Sequence, residues 1–347
     1  MKILKTAVVG LGRIGWRTHI PKIVERPERF SLVGVVDLIG ERLDEAKDKY
    51  CVNGYTDIAT MIEAEHPDLV VIASPTHLHR DHACTALKLG CDVFLDKPMA
   101  TTYEEALEIV ECARENGRKL MVYQPRRTDA APNQLMAIIA SGKIGKLCSY
   151  GRSDCSYIRR ADWQAFKKFG GGMINNYGSH LIDAALYMTG EKVVRLHCIT
   201  NTVASVGDAE DVVKILIKTE NGVMVNIDIN QAAGLPTPEW IIYGSTGAII
   251  SEVAPNKKHQ FRLRYFDPTT IPAITASDAL AAATRSYNND VPLPWVEEIV
   301  PLDKRYAVDF YEKVYEYYAE DKPPYVPVEQ TLYVMELLDR CHKDADK

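Results

Sequence analysis

No stretch of this chain approaches the ~20 consecutive apolar residues that a membrane-spanning helix needs, so the sequence predicts no such helix. Basic charge is also in short supply. Lys and Arg total 41 against 47 Asp and Glu, a formal net charge of −6, which opposes nonspecific attraction to nucleic acid or to an anionic membrane. Paired cysteines are missing as well. The cysteines at 51, 84, 91, 112, 148, 155, 198 and 341 include no C-x-x-C, which argues against a zinc knuckle and predicts reduced thiols in a cytoplasmic protein. A secretory leader is not expected either, because Gly10-Leu11-Gly12-Arg13 interrupts the apolar run after Met1-Lys2, and a strand fits that run better.

A chain of 347 residues, 46% apolar and 25% charged, suits about two globular domains. Thr6–Val9 reads as a strand and Trp16–Val24 as a helix, with Gly10-Leu11-Gly12-Arg13-Ile14-Gly15 between them; Leu32–Val36 is a second strand ending at Asp37. A lone G-x-G-x-x-G occurs by chance in many chains. Inside a strand–helix–strand unit closed by an acid it is the dinucleotide fingerprint. The first glycine makes the tight turn, the second lets backbone approach the pyrophosphate, and the third lets the helix pack on the strand. Unpaired N–H groups at the helix start then face the phosphates. Asp37 is placed to accept from the adenosine ribose and to repel a 2′-phosphate, which favours NAD over NADP. Arg42 is near enough to reorganise that pocket.

The alternation continues. Tyr55–Glu65, Arg80–Leu89 and Tyr103–Asn116 have helical patterns, while Leu69–Ala73, Asp92–Leu95 and Lys119–Tyr123 read as strands. Repeated strand–helix units predict an α/β fold with a doubly wound parallel sheet. His77, His79 and His82 share no single strand or helix face and lack an acidic or thiol partner, so no metal is expected. The loop Ser74–His79 reads instead as a segment beside the nicotinamide ribose. Asp92–Leu95 ends in Asp96-Lys97-Pro98, at the carboxyl edge of the sheet, where open α/β folds bind ligands. A lysine there costs solvation energy unless its charge or proton is used. A second cluster, Gly170-Gly171-Gly172-Met173-Ile174-Asn175-Asn176-Tyr177-Gly178-Ser179-His180-Leu181-Ile182-Asp183, supplies a matching acid/base group.

These segments resemble the glucose-fructose oxidoreductase / inositol dehydrogenase / MocA (Gfo/Idh/MocA) family. The likeness rests on Gly10–Gly15, Ser74-Pro75-Thr76-x-x-His79, Asp96-Lys97-Pro98, Arg126-Arg127, Gly142-x-x-Gly145 and Gly170–Asp183, and it runs over roughly the whole chain. Asp96 stands where the family commonly has Glu. The resemblance implies a Rossmann domain over 1–125 and a substrate-binding α/β domain over 126–325 with a large, mostly antiparallel open sheet. It also implies a C-terminal helix over 326–347 that packs back on the first domain, and a homodimer or homotetramer built through that sheet. The chain's own pattern agrees: Ser149–Tyr157, Val193–Val203, Val212–Thr219, Val223–Gln231 and Trp240–Tyr243 read as strands, with a tight turn at Glu220-Asn221-Gly222. Gly234–Pro238 and Gly244–Gly247 are breaks, 267–294 reads as a long loop, and Asp303–Ala319 and Val328–His342 read as helices.

Oxidising a secondary alcohol requires a group that takes the hydroxyl proton and a cofactor that takes the hydride. His180 has a pKa range suited to the base. Lys97 is suited to donate to the same oxygen and stabilise alkoxide character. The resemblance gives these two residues the same roles. It also brings Ser74, Pro75, Thr76, His79, Asp96, Lys97 and Arg126 to NAD, beside Gly10, Gly12, Arg13, Ile14, Gly15, Asp37 and Arg42. Asn176 stands where many polyol dehydrogenases of the family place an aspartate. It can bond a sugar hydroxyl but cannot take a proton, which moves proton removal onto His180. Asp183 is expected to orient His180, to contact substrate, or to buttress its helix. One of Arg126 and Arg127 is expected to bond cofactor or substrate, the other to form a structural ion pair; Arg127 is placed with Tyr157, Trp163, Asn176, His180 and Lys97 in the substrate set. The expected function is NAD-dependent oxidation of a sugar, glycoside or cyclic polyol. An NAD-dependent glycosidase or lyase working through transient oxidation, and a non-catalytic nucleotide-binding regulator, are the alternatives; retention of both Lys97 and His180 argues against the regulator.

Overall fold

A computed structural model describes residues 2–190, 192–273 and 291–345. The first sheet contains β1 (Leu4–Val9), β2 (Phe30–Val36), β3 (Asn53–Tyr55), β4 (Leu69–Ile72), β5 (Asp92–Leu95) and β6 (Leu120–Val122). Its strands are parallel, in the order β3-β2-β1-β4-β5-β6. Side chains alternate across each strand, and both faces are apolar, so the core divides by parity. Ala7, Val9, Val70, Ile72, Val93, Leu95 and Val122 face one cluster. Val8, Leu69, Val71, Phe94 and Met121 face another. The helices α3 (Ile58–Glu65), α4 (His79–Lys88) and α5 (Tyr103–Glu115) cover the first face. The helices α1 (Ile20–Val24) and α2 (Gly40–Tyr50) cover part of the second. This split is what right-handed crossovers produce when the strand order reverses at β1/β4.

The crossovers leave the second face of β4–β6 bare, and a helix from far along the chain covers it. In α8 (Phe310–Glu320), Tyr311, Val314, Tyr315 and Tyr318 are buried with Leu4, Val8, Phe30, Phe94 and Met121. Tyr315 donates to the Lys2 carbonyl at 2.7 Å, and the Tyr318 hydroxyl donates to the Val93 carbonyl. The hydroxyls therefore keep partners while the rings fill the core. The expected division at residue 325 thus fails for this helix, which belongs by packing to the first domain.

The second sheet contains β7 (Leu147–Cys155), β8 (Val193–Asn201), β9 (Val212–Thr219), β10 (Met224–Asn230), β11 (Trp240–Gly244), β12 (Gly247–Val253), β13 (His259–Tyr265) and β14 (Val296–Pro301). Its order is β14-β13-β12-β11-β7-β10-β9-β8. Only β7 and β10 pair in parallel; the other neighbours are antiparallel. In β9, Val213, Ile215 and Ile217 are buried with Leu181 and Ile182 of α7 (Ser179–Thr189), whereas Lys214, Leu216 and Lys218 are exposed. The sheet is thus covered on one face. The remaining helices are α6 (Ala130–Ala140), which follows the junction, and α9 (Val328–Ala345), which packs on α5 of the first domain and on α7 and β8 of the second.

Several boundaries differ from expectation. Tyr55 is not helical: it ends β3, paired with Val36, and α3 starts only after Asp57, whose carboxylate accepts from Thr60 N at 2.8 Å. Asp303 caps a short turn at Lys304–Tyr306, and Asp309 caps the true helix from Phe310. The strands β12 to β14 and the helices α2 and α6 had no sequence expectation. Of the expected loop 267–294, residues 274–290 lie outside the described residues.

Because Tyr315 is almost wholly buried, Tyr315→Ala is expected to lower stability by about 3 kcal/mol or more. Urea unfolding followed by far-UV circular dichroism measures this; a loss under ~1 kcal/mol contradicts a core role for α8.

Candidate active site

A cleft of about 720 Å³ opens at the carboxyl ends of β1, β4 and β5, and the segments 160–164 and 170–180 of the second domain close its far side. At one end stand Gly10, Gly12, Arg13, Ile14, Asp37, Arg42, Ser74, Pro75, Thr76 and His79. At the other stand Asp96, Lys97, Arg126, Trp163, Asn176 and His180. Gly15 lies behind this lining, where a Cβ would fall 1.9 Å from the Gly10 carbonyl oxygen.

The first end fits a dinucleotide. Gly10 has φ +93°, and a Cβ there would lie 2.6 Å from Ser74 N, so the turn needs glycine. A Cβ on Gly12 would meet nothing within 4 Å, which leaves open space beside the backbone where a pyrophosphate would lie. The Asp37 carboxylate accepts from Leu11 N at 2.7 Å and Ile39 N at 3.0 Å, and Arg42 Nη1 approaches it at 3.2 Å. These bonds hold the acid at the end of β2, facing the cleft. His79 has a more structural position than expected. Its Nδ1 lies 2.9 Å from the Pro98 carbonyl and its Nε2 2.9 Å from the Ser74 carbonyl. It braces the loops after β4 and β5, and burial lowers its pKa to about 4.

The other end is built around Lys97. β5 delivers it, the Lys97–Pro98 peptide is cis, and Asp96 Oδ1 accepts from Lys97 N at 2.8 Å. Across the cleft the chain forms a π-turn at Ile174–Gly178 that runs into α7. A π-turn breaks the regular i→i−4 pairing, and the Asn176 carbonyl is used elsewhere. It accepts from Lys97 Nζ at 2.9 Å and from Ser179 Oγ at 3.2 Å. Asn176 Oδ1 lies 3.3 Å from the same ammonium, and Nδ2 donates to Gln164 Oε1 at 3.1 Å. Burial lowers the Lys97 pKa to about 8, opposed by the Asp96 charge and assisted by Arg126, Arg13 and Arg160. Burial raises Asp96 to about 6. Burial, then the charges of Lys97, Arg126 and Arg152, hold His180 well below its usual range, so it is neutral at pH 7. Its Nδ1 is buried with no hydrogen-bond partner among the described residues.

Three expected site residues lie elsewhere. Asp183 does not orient His180: both of its oxygens are taken by Arg127, from Nε at 2.8 Å and Nη2 at 2.6 Å. Both side chains are buried, so Arg127 is the structural ion pair of the Arg126-Arg127 couple, not a substrate ligand. Tyr157 is exposed beyond the end of β7 and does not line the cleft. The glycine cluster also serves the chain itself. A Cβ on Gly171 would lie 2.4 Å from the Gln164 carbonyl, and one on Gly172 2.3 Å from the Glu210 carboxylate. Sequence reasoning missed Arg160 and Gln164, which both line the cleft. They follow the end of β7 at Cys155, so strand alternation gave no signal to separate Arg160 from exposed Arg159.

Residues 4–124 match the family model for an oxidoreductase family with an NAD-binding Rossmann fold (GFO_IDH_MocA), and residues 133–250 match the GFO/IDH/MocA C-terminal domain. The chain belongs to the GFO/IDH/MocA family. Its first domain is accordingly an NAD-binding Rossmann domain. A D-glucoside 3-dehydrogenase of Escherichia coli is 30% identical over 202 residues, 55% of this chain and 56% of the relative. An inositol 2-dehydrogenase of Salmonella typhimurium is 32% identical over 153 residues, 43% of this chain and 45% of the relative. The chain spans about half the length of the curated relatives it matches. Among solved structures, an NAD-binding protein from Listeria innocua superposes with TM-score 0.81 at 22% identity, covering 99% of this chain and 95% of that one. The WlbA dehydrogenase of Bordetella pertussis, in complex with NADH and UDP-GlcNAcA, gives TM-score 0.76 at 22% identity, covering 99% and 97%. These likenesses show the fold of the GFO/IDH/MocA family over both domains.

Arg127→Ala leaves a buried carboxylate unpaired, and the loss of a buried partner costs about 3–5 kcal/mol. We expect a lower Tm by differential scanning calorimetry, largely rescued in Arg127→Leu/Asp183→Leu. Wild-type stability in the single variant contradicts the structural assignment.

Proposed function

We propose that this protein is an NAD-dependent dehydrogenase acting on a secondary hydroxyl of a sugar, glycoside or cyclic polyol. The observation that carries this reading is the meeting of two groups in one cleft. A lysine with lowered pKa is anchored across the domain boundary to Asn176, and a neutral histidine shares the cleft with a dinucleotide turn. The GFO/IDH/MocA relatives named as glucoside and inositol dehydrogenases support the substrate class. Bound nicotinamide supplies the hydride acceptor, and the protein supplies position and proton handling. His180 takes the hydroxyl proton through Nε2, since its Nδ1 is buried. The Lys97 ammonium donates to the same oxygen and stabilises the charge that develops there. Asn176 holds Lys97 rather than replacing it. Asp37 favours NAD over NADP, because a 2′-phosphate would meet a carboxylate.

The open face of the second sheet supports homo-oligomerisation. Leu216, Met224, Tyr243 and Ile299 are exposed on it, and Met224 and Tyr243 flank Ser149 across β7. Burying such a face between copies follows from its apolar content.

A panel of sugars, inositols and glycosides with NAD, followed at the NADH absorbance, tests the reaction. Substrate-dependent NADH formation supports a dehydrogenase. Aglycone release without NADH points to a glycosidase or lyase, and NAD binding with neither points to a regulator. Lys97→Ala and His180→Ala are each expected to lower turnover by ~100-fold or more with NAD affinity kept within a few-fold. Normal turnover in either variant removes that residue from the mechanism.

The pH profile of kcat/KM follows from the same groups. His180 is the base when neutral, so activity is retained as pH falls until well below 6.5. Lys97 is the donor when protonated, so activity falls as pH rises through about 8. The Asp96 charge favours the ammonium, so Asp96→Asn is expected to move the alkaline limb to lower pH. An unmoved limb separates it from Lys97.

A further inference from the structure

The carbonyl that receives Lys97 belongs to the turn at Ile174–Gly178, a π form that chains seldom adopt. Contacts from outside the turn hold it. Ile174 N donates to Glu210 Oε1 at 3.0 Å, and Asn176 N donates to the Gly172 carbonyl at 3.0 Å. The helix α9 also lies against it. A Cβ on Gly178 would fall 3.4 Å from Leu338 Cδ2. One helical turn further along α9, on the face that carries Leu338, stands His342. Its Nε2 lies 2.8 Å from Asn175 Oδ1.

Asn175 and Asn176 are neighbours in the turn, and both line the cleft. Their side chains are tied to different bodies. Asn176 is bound to Lys97 and Gln164. Asn175 Nδ2 donates to the Gly170 carbonyl at 3.2 Å. That bond leaves the amide oxygen, an acceptor only, for His342, so His342 Nε2 carries the proton between them. The Nε2–H tautomer and the cation both offer a donor at that nitrogen. The donor also sits on an anchored element. The Tyr333 hydroxyl accepts from Val193 N at 2.8 Å, and Asp344 Oδ2 accepts from Cys198 N at 2.8 Å. These bonds fasten α9 to β8 on either side of His342. One line of contacts therefore runs from β8 through α9 and Asn175 to the residue that anchors Lys97.

We propose that His342 is a positioning residue for the reaction: by holding Asn175 it keeps the π-turn in the form that presents the Asn176 carbonyl and side chain to Lys97. It is not part of the cleft lining, and it acts through Asn175 alone. The proposal rests on the role given to Lys97 in the dehydrogenase reading above and adds to it a residue from outside the cleft. A misplacement of ~1 Å at a reacting group costs up to ~100-fold in rate, so loosening of the turn is felt in kcat and not in NAD affinity.

Two measurements test it, and the first needs no substrate. Acetic anhydride at trace concentration labels uncharged amines, and peptide mass spectrometry across a pH series then gives the titration midpoint of Lys97. His342→Ala is expected to lower that midpoint, because the ammonium loses oxygen acceptors that favour its charged form. His342→Gln is expected to restore it, since the Gln amide nitrogen can donate to Asn175 Oδ1 in place of the ring. Asn175→Ala is expected to lower it as well, and His342→Ala/Asn175→Ala to lower it no further than the larger single change. The second measurement is steady-state kinetics with NAD and whichever of D-glucose, myo-inositol and the methyl glucosides forms NADH. In His342→Ala, kcat is expected to fall about tenfold or more with the NAD Kd kept within a few-fold, and His342→Gln to recover most of the loss. An unmoved or raised Lys97 midpoint in His342→Ala overturns the proposal even where Tm falls, because a merely structural role gives that result. A Gln variant no better than the Ala variant, or single shifts that simply add in the double variant, also overturns it. The dehydrogenase reading fails differently. Absence of NADH with every sugar counts against that reading while the labelling series still decides the tether, whereas NADH formation with an unmoved midpoint sinks the tether alone.

Discussion

The bond from Lys97 to the Asn176 carbonyl is the constraint on which the site depends. It crosses from the Rossmann sheet to the second domain, so the two lobes must keep one relative position for the ammonium to be held. An ammonium at this depth is costly to desolvate, and two oxygen contacts and one charge offset that cost: the Asn176 carbonyl, the Asn176 side chain, and the charge of Asp96 behind them. Each depends on a local irregularity. The carbonyl lies in the π-turn before α7. Asp96 is in place because β5 stops one residue earlier, at Leu95.

Electrostatics in the cleft then follow from the burial of few acids among many bases. Lys97 and His180 are pushed in the same direction, towards losing a proton, and the Lys97 charge adds to the effect on His180. The two groups are thus kept in different protonation states across the middle of the pH range, one charged and one neutral. Behind them, the Arg127–Asp183 pair ties the junction segment Pro125–Thr128 to α7. That pair carries charge but performs no proton chemistry. It braces α7 against that junction segment.

Much of this was legible in the sequence. The dinucleotide turn, the parallel sheet, Lys97 and His180 all sit in patterns with local meaning: a glycine spacing, an apolar strand with a terminal charge, a helix after a glycine cluster. What was not legible depended on distance along the chain. Nothing in the sequence around Tyr315 says that it faces Phe30. The sequence reading could not choose among the three roles for Asp183, because its partner lies 56 residues away. Tyr157 looked like a sugar platform only while β7 was taken to extend that far; the strand ends at Cys155 and the ring turns outward. Arg160 and Gln164 sit in the irregular chain beyond it, where periodicity carries no information.

The return of α8 to the first sheet has a consequence for synthesis. The amino-terminal 125 residues hold every strand of the nucleotide-binding sheet, yet one face of Phe94 and Met121 stays uncovered until residues 310–318 emerge from the ribosome. For most of its translation the nascent chain carries an exposed apolar face with its strands already available. Contacts so far apart in sequence form last, so this face is the one most open to aggregation during elongation.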